Sequence, residues 1–294
     1  MPSRYSIKDL ERISGIKAHT LRIWEQRYNI LHPERTQTNI RYYNNYNLKK
    51  IINVALLNNN GFKISAIAKM SDAELLKEVE RFLNDYNKES DQVDHLVLCL
   101  MDLDEAKFEQ IMNNAIIHFG FENTLEKIIF PFFRQMGNLW LLGIINPAQE
   151  HYISNLIRQK IIVGIDRITI RPSQQARKIL LYLPQMELHE MGLLYAHYLA
   201  KLRGHQCFYL GQSVPLEDLS AICKQLKPHQ ILSIFTAPSP EMELNEYLKL
   251  CSEQIPEIPF LISGRMVVGG EYKLRLPSSQ FTVFEDFTAL KSFL

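Results

Sequence analysis

Five short apolar segments alternate with helical segments over residues 177–294. The hydrophobic residues of each segment run without alternation, which is typical of strands that are buried on both faces of a sheet. Strands that alternate with helices predict a doubly wound α/β parallel sheet of the flavodoxin-like type, which binds ligands at the carboxyl ends of its strands. The five predicted strands are Ile179–Leu183, Gln206–Leu210, Gln230–Phe235, Pro259–Ser263 and Phe281–Phe284.

The middle of the chain, residues 74–170, has the pattern of a helical bundle. Leucine, isoleucine and phenylalanine recur at spacings of three and four, and proline is rare. This pattern predicts four or five packed helices. Asn146-Pro147 is a typical helix start, because proline is tolerated in the first turn of a helix. Trp140 precedes this start and Glu150-His151 follows it. Taken alone, such a tryptophan is usually a core residue and such a pair is usually a surface feature.

Residues 1–73 have the pattern of a helix-turn-helix. Ser6 is a suitable cap for a first helix, the glycine turn Ser14–Ile16 ends that helix, and Ala18–Arg27 is a second helix. The second helix of such a motif enters the major groove of DNA, where arginine pairs with guanine edges or phosphates. The polar stretch Leu31–Tyr43 then suits a wing that lies on the sugar-phosphate backbone.

The charge distribution also favours a polyanionic partner for this N-terminal segment. Residues 1–73 hold 12 Lys and Arg against 5 Asp and Glu, a net charge of +7, whereas the rest of the chain carries −6. A basic segment on an acidic body is typical of nucleic-acid binding, although a solvated basic surface without a partner has the same composition.

The cysteines and the apolar stretches exclude several other classes. The four cysteines show no C-x-x-C spacing and none precedes Cys99, so we expect neither a zinc site nor a soft-metal sensor. No stretch is apolar enough for a signal peptide or a membrane span. We therefore expect a cytoplasmic protein with no membrane partner.

Several sequence motifs of the N-terminal segment match one known family. Thr20–Tyr28, Pro33–Thr36, Arg41–Tyr43 and Gly61–Ile67 together resemble the MerR family of winged-helix regulators. The resemblance implies binding to double-stranded promoter DNA by a homo-oligomer, a dimer or a tetramer. We expect Trp24 in the core and Glu25 in an ion pair on the helix surface. The DNA-binding residues that the resemblance implies are Arg22, Arg27 and Tyr28 on the recognition side and Arg35, Arg41 and Tyr43 on the wing.

The spacing between Trp140 and Glu150-His151, inside a bundle that precedes an α/β domain, resembles the cobalamin-binding bundle of the light-responsive MerR-type repressors and the cap of methionine synthase. In the repressors, the tryptophan packs over the upper face of cobalamin against the adenosyl group, and the glutamate lies near that group. The histidine takes the cobalt after light removes the adenosyl group. The resemblance thus implies that Trp140 and Glu150 contact the cofactor and that His151 is an upper cobalt ligand.

The loop after the first predicted strand carries Glu187-x-His189-x-x-Gly192. It resembles the D-x-H-x-x-G motif of cobalamin domains. In that motif the histidine is the lower cobalt ligand, and the aspartate orients the histidine through its other ring nitrogen. Ser233 and Gly264 stand where that family has S-x-L and Gly-Gly beside the nucleotide tail. Two positions depart from the family, because Glu187 replaces the aspartate and Ser263 replaces a glycine. By itself, His189 would instead be a helix N-terminal cap.

These features predict a three-domain, non-enzymatic regulator: a winged helix (1–73), a bundle that caps cobalamin (74–170) and a cobalamin-binding sheet (177–294). Binding of adenosylcobalamin or methylcobalamin would change the oligomeric state and the affinity for operator DNA. Light would act through adenosylcobalamin. Three alternatives remain open. In the first, the altered pocket has lost the cofactor, and the domain serves oligomerisation or binds an antirepressor protein. In the second, the pocket binds another ligand. In the third, the chain is a cobalamin enzyme.

Overall fold

The computed structural model describes residues 4–36, 39–59, 61–83, 89–141, 143–170, 176–270 and 272–294. The chain divides into two compact units, Met1–Asn155 and Leu156–Leu294. Among the described residues, no helix combines the length and the apolar character that crossing a lipid bilayer requires.

The first unit begins with a winged helix. A capping box starts α1, since the Ser6 hydroxyl accepts a hydrogen bond from the Asp9 amide and the Asp9 carboxylate accepts one from the Ser6 amide. Gly15 ends α1 in the left-handed conformation, with φ of 71°, and the chain turns directly into α2. The predicted helix-turn-helix and wing are confirmed. The elements are α1 (Ile7–Ser14), α2 (Ala18–Tyr28), β1 (Glu34–Arg35), β2 (Arg41–Tyr42), α3 (Asn45–Asn59) and α4 (Ile64–Ile67).

In the part of the chain that the structure describes, five helical segments follow the winged helix, as the apolar spacing predicts. Asp104 caps α7 by accepting a hydrogen bond from the Lys107 amide, and Gly120, with φ of 78°, separates α7 from α8. The segments are α5 (Asp72–Leu83), α6 (Glu89–Asp102), α7 (Glu105–Phe119), α8 (Phe121–Thr124) continued by a π-helical turn (Leu125–Ile129) into α9 (Phe130–Leu141), and α10 (Pro147–Asp166).

Polar contacts join the winged helix to the bundle within the first unit. Arg12 of α1 donates a 2.9 Å hydrogen bond to Asn138 of α9, two residues before Trp140. Lys49 of α3 forms an ion pair with Asp102 at the end of α6. The winged helix is thus packed against the helices that follow it, including the helix that carries the candidate cofactor residue Trp140.

The second unit is a five-stranded sheet in which all neighbouring strands are parallel. Its strand order, β4-β3-β5-β6-β7, is the 2-1-3-4-5 order of flavodoxin-like folds and confirms the predicted doubly wound sheet. The elements are β3 (Lys178–Pro184), α11 (Met191–Leu202), β4 (Gln206–Val214), α12 (Leu216–Leu226), β5 (Gln230–Ile234), α13 (Leu244–Gln254), β6 (Phe260–Ser263), α14 (Arg265–Val268), β7 (Phe281–Val283) and α15 (Phe287–Phe293).

Two boundaries of the second unit differ from the sequence pattern for local reasons. β4 extends beyond Leu210, because positive φ angles at Gly211 and Ser213 let it follow β3 through register shifts. α11 begins after His189, because the amide of His189 is bonded to the Glu187 side chain. The stretch 171–175, which the composition favours as a linker, lies outside the described residues.

The core of the second unit fills one face of the sheet under α12 and α13. Leu219 and Cys223 of α12, with Leu248 and Cys251 of α13, pack on inward-facing residues of the strands. Those strand residues are Leu180, Tyr182, Ile231, Phe260, Ile262 and Phe281. This packing fixes the strand ends, and so the loops that carry the candidate ligands.

Candidate functional site

The loop between β3 and α11 carries the candidate lower cobalt ligand. β3 is buried along almost its whole length and ends at Pro184. Within the loop, Glu187 is only 5% exposed, whereas the side chain of His189 is 57% exposed. The loop therefore holds a buried carboxylate and presents an imidazole at its surface.

Glu187 accepts four hydrogen bonds through its two carboxylate oxygens. Oε1 lies 2.6 Å from His189 Nδ1 and 3.0 Å from the His189 amide nitrogen. Oε2 accepts from the amides of Thr236 and Ala237 at 2.8 and 2.9 Å. Because a carboxylate at Nδ1 favours a proton there, Nε2 is the ring nitrogen that keeps a lone pair, which is the form of imidazole that binds metals.

Burial alone would raise the pKa of the Glu187 carboxyl group. The hydrogen bonds from the His189 ring and from three backbone amides outweigh burial and lower the pKa to about 2. Glu187 is therefore ionised at neutral pH, and its hydrogen bond to His189 is charge-assisted.

Glu187 also bridges two loops at the centre of the sheet. The loop that carries it follows β3, and Thr236 and Ala237 follow β5, the neighbour of β3. In the observed strand order, the connection after β3 runs to β4 on one side, whereas β5 lies on the other side. This is the topological switch point at which doubly wound sheets bind their ligands.

Three smaller residues of the predicted site lie around this point. Ser233 is fully buried, and its hydroxyl has no hydrogen-bond partner among the residues that the structure describes. Gly264 has φ of 105°, and a Cβ there would lie 2.3 Å from the carbonyl oxygen of Phe235, so the fold itself requires glycine. A Cβ at Gly192 would approach Ile234 to 3.0 Å, which makes close packing of α11 on β5 a structural role for that glycine.

A cavity of about 490 Å³ opens beside Glu187 at the carboxyl ends of the strands. The buried Tyr182 hydroxyl lies 3.2 Å from the hydroxyl of Tyr247, which lines the cavity. Ser233 pairs in register with Tyr182, so their side chains point to the same face of the sheet. The residues that line the cavity include Met186, Glu187, Phe235, Leu244, Tyr247 and Met266.

The predicted upper-face residues lie in the first unit. Trp140 stands near the end of α9 and is 50% exposed. Asn146 begins α10 by accepting a 3.0 Å hydrogen bond from the Gln149 amide. This cap places Glu150, half-buried, and His151, exposed, in the first turns of α10.

A second cavity, of about 330 Å³, lies within the first unit beside the segment that joins α9 to α10. Asn45 and Lys49 of α3 line it on the winged-helix side, and Met101 of α6 lines it on the bundle side. Gly143–Asn146 and Gln149 complete the lining. The chain between Trp140 and Glu150 therefore borders a helix of the DNA-binding module.

The predicted DNA-binding arginines are on the surface of the winged helix. Arg22 and Arg27 are exposed on α2, and the Arg27 guanidinium lies 5.5 Å from the centre of the Tyr28 ring. Arg35 is exposed on β1 and donates a 2.6 Å hydrogen bond to Asn39. These side chains form a basic surface on the second helix and the wing.

Tyr43 corrects the sequence-based assignment of wing contacts. It is fully buried, and its hydroxyl donates a 2.7 Å hydrogen bond to Glu25, so the side chain has no surface for a DNA phosphate. Burial, followed by the bond to Glu25, raises its pKa. The expected ion pair of Glu25 is present, with Arg41 Nε at 3.2 Å, and Trp24 is buried. Glu25 thus fixes the wing to α2.

One candidate contact at the wing has no counterpart in the sequence-based list. The Arg4 guanidinium lies 4.7 Å from the centre of the Tyr42 ring, and the Tyr42 hydroxyl donates a 2.6 Å hydrogen bond to Glu34. This stack adds an exposed cation to the wing surface. The basic charge of the N-terminal segment was the only sequence signal for it.

Known families and proteins match both parts of the chain. A family model described as MerR HTH family regulatory protein matches residues 5–74, and one described as B12 binding domain matches residues 92–163, within the helical bundle. A solved structure of the monomethylamine corrinoid protein of Methanosarcina barkeri has a TM-score of 0.53 and 12% identity, and the match covers 70% of this chain and 98% of that one. This last likeness shows the fold.

Two curated repressors of Myxococcus xanthus match over most of their length. The HTH-type transcriptional repressor CarH is 24% identical over 269 residues, and the match covers 88% of each chain. The HTH-type transcriptional repressor CarA is 30% identical over 280 residues, which is 90% of this chain and 85% of CarA. This chain therefore belongs to the family of HTH-type transcriptional repressors that CarA and CarH represent.

Proposed function

We propose that this chain is a transcriptional regulator whose affinity for operator DNA depends on cobalamin bound by its C-terminal part. The observation that carries the proposal is the Glu187–His189 pair at the switch point of the sheet. A buried, ionised carboxylate orients an exposed imidazole there, which is the usual arrangement behind a metal-binding histidine.

The residues present fit cobalamin. His189 would hold the cobalt through Nε2, and Glu187 would keep the ring in the required tautomer. The cavity beside Glu187 and the unpartnered hydroxyl of Ser233 would receive the nucleotide tail, because an orphaned buried hydroxyl favours a ligand that brings a hydrogen-bond partner. When bound, the cofactor would supply a cobalt that takes an imidazole nitrogen as ligand and, in its adenosyl form, a light-sensitive bond.

Three residues of the first unit are further candidates for contact with the cofactor. Trp140 leaves half of a large aromatic surface exposed, which suits contact with an apolar face of a ligand. By the family resemblance, Glu150 would contact the adenosyl group and His151 would hold the cobalt after light. His151 is exposed and so is accessible for that role.

Coupling to DNA would run through the contacts inside the first unit. The helix that carries Trp140 also carries Asn138, which is bonded to Arg12 of the winged helix. A ligand that favours one arrangement of α9 would therefore favour one arrangement of the DNA-binding module or of its oligomer. Arg22 and Arg27 would contact the major groove, and Arg35 and Arg41 the phosphates beside it. We assign the chain no catalytic role, and both curated relatives are repressors.

The test begins with purified protein and adenosylcobalamin in the dark. After gel filtration to remove free cofactor, the visible spectrum and the mass of the protein are recorded before and after green light. Retained colour, a spectral change in light and a change in mass support a photosensor of changing oligomeric state. Retained colour without a light response supports a cobalamin sensor of another kind.

Histidine variants locate the ligands. His189→Ala is expected to lose the bound cofactor, and His151→Ala is expected to alter only the spectrum after light. His118→Ala, an exposed histidine on α7, is the matched control and should behave as wild type. A colourless wild-type protein would reject cobalamin binding.

One observation favours a second candidate function. Ser263 is 6% exposed and stands directly before Gly264, where related cobalamin domains have glycine, so an added side chain is already packed there. A sheet that no longer binds the cofactor would serve oligomerisation or binding of an antirepressor protein. Operator control that is unchanged by His189→Ala would favour this second function.

A further inference from the structure

A second buried carboxylate lies directly after the candidate ligand His189. Glu190 is 6% exposed and makes no capping hydrogen bond to α11, although it occupies the capping position of that helix. Its Oε1 forms an ion pair with Nε of Arg158, and its Oε2 accepts a 3.0 Å hydrogen bond from the Tyr209 hydroxyl. Neither helix capping nor surface solvation accounts for this carboxylate.

Glu187 holds the ring and the backbone amide of His189, and two further anchors hold the loop before His189. Ser213 accepts a 3.1 Å hydrogen bond from the Met186 amide, and the Gln212 side chain donates to the carbonyl oxygen of Leu188. Glu190 holds the other side, because its amide donates a 3.0 Å hydrogen bond to that same carbonyl across His189. Its side chain therefore fixes one end of the tight turn that presents His189.

Arg158 belongs to α10, the helix whose first turns carry Glu150 and His151. Arg158 lies in the part of α10 that belongs to the second unit, and Glu190 belongs to the same unit. The ion pair therefore ties the residue next to the candidate lower ligand to the C-terminal part of α10. Tyr209 secures the same carboxylate to β4.

We propose that Glu190 is a positioning residue for His189 and that Arg158 and Tyr209 hold it in place. This inference rests on the proposed function, since it assigns a role toward the same cobalt ligand. A buried ion pair adds little stability compared with apolar packing, so we assign this pair a role in geometry rather than in stability. Residues that orient metal ligands commonly change metal affinity by about 10- to 100-fold when they are replaced.

The test compares Glu190→Gln and Arg158→Met with Glu253→Gln in the full-length protein. Glu253 is the matched control, because it forms an exposed ion pair with Lys249 at 3.8 Å in the same unit. Hydroxocobalamin is the probe. We expect its Kd to rise about 10- to 100-fold in the two test variants and less than about twofold in the control. Arg158→Lys should recover part of the loss.

Two spectroscopic measurements separate positioning from folding. In protein labelled with ¹⁵N-histidine, the electron paramagnetic resonance of bound cob(II)alamin reports whether a protein histidine is the axial ligand. We expect this signal to weaken in the test variants. In the protein without cofactor, ¹⁵N NMR should show one Nδ1-protonated form of His189 in the wild type and a mixture of forms in Glu190→Gln. Circular dichroism melts select the variants that remain folded.

The outcomes distinguish this inference from the proposed function. Wild-type Kd values and wild-type His189 resonances in Glu190→Gln and Arg158→Met would overturn the positioning role. If Glu190→Gln unfolds, Arg158→Met decides, because the arginine side chain is partly exposed and its replacement is milder. If wild-type protein binds no hydroxocobalamin but the NMR of the variants changes as expected, the proposed function fails and the positioning role stands.

Discussion

Replacing Glu187 by glutamine should destabilise the second unit without changing the size of the side chain. The carboxylate accepts four hydrogen bonds, two from His189 on Oε1 and two from the amides of Thr236 and Ala237 on Oε2. A glutamine has one accepting oxygen and one donating amide group. Whichever way the amide is turned, its NH₂ group faces two hydrogen-bond donors.

The pKa of the carboxyl group sets the size of the effect. Its value falls from an ordinary 4.5 to about 2 in the folded protein, and each pKa unit corresponds to about 1.4 kcal/mol. The native contacts of the ionised form therefore contribute about 3 kcal/mol to the free energy of unfolding at neutral pH. For a unit of this size we expect a Tm lower by about 10 °C.

The sign of the pH dependence follows from the lowered pKa. Because the folded protein holds the proton more weakly than the unfolded chain, the stabilisation from Glu187 is fully present above about pH 4.5 and is lost as the pH falls toward 2. Wild type and Glu187→Gln should therefore differ by a constant amount from pH 7 to about pH 5. Their stabilities should converge in more acid solution.

The two units can be followed separately, because both tryptophans of the chain, Trp24 and Trp140, lie in the first unit. Far-UV circular dichroism reports on both units, whereas tryptophan fluorescence reports on the first. Glu187→Gln should lower the Tm measured by circular dichroism and leave the Tm measured by tryptophan fluorescence unchanged. A Tm within about 2 °C of wild type by circular dichroism at pH 7 would refute the role assigned to these four hydrogen bonds.

Three further predictions concern other parts of the chain. His95 is fully buried, no described residue is a partner for either ring nitrogen, and burial lowers its pKa to about 3. The free energy of unfolding of the wild type should therefore fall by about 1.4 kcal/mol per pH unit below pH 6.5, and His95→Leu should weaken this pH dependence in melts followed by tryptophan fluorescence. Arg41→Gln should lower the affinity for operator DNA, and it should lower the slope of log affinity against log salt concentration by about one. Tyr43→Phe should change the affinity less than about twofold, as measured by fluorescence anisotropy. Gly264→Ala should cost more than about 1 kcal/mol by circular dichroism, because its Cβ would meet Phe235.

The elements that depend on local pattern could be predicted from the sequence. The strands Phe260–Ser263 and Phe281–Val283 lie within one residue of their predicted bounds, and the parallel sheet follows from five uninterrupted apolar segments separated by helices. The resemblance of Glu187-x-His189-x-x-Gly192 to the motif of cobalamin domains implied a hydrogen bond between Glu187 and His189, and the structure contains it.

The parts that depend on distant chain segments could not be predicted. The amides of Thr236 and Ala237 lie about 50 residues from Glu187, and a backbone donor leaves no mark in the sequence. The burial of Tyr43 also had no signal in the strand pattern. Residues two apart share a face of a strand, so alternation places Arg41 and Tyr43 together, and both reach Glu25 of α2.

The glutamate at position 187, which left the retention of the cofactor open in the sequence, has a structural reason. One of its oxygens must reach His189 while the other reaches the loop after β5. A shorter aspartate on the same backbone would withdraw the carboxylate by about 1.5 Å. Hydrogen bonds of 2.6 to 2.9 Å would then exceed the usual limits on at least one side. The longer side chain thus preserves the carboxylate that orients His189, and the exchange supports a working ligand pair rather than a lost one.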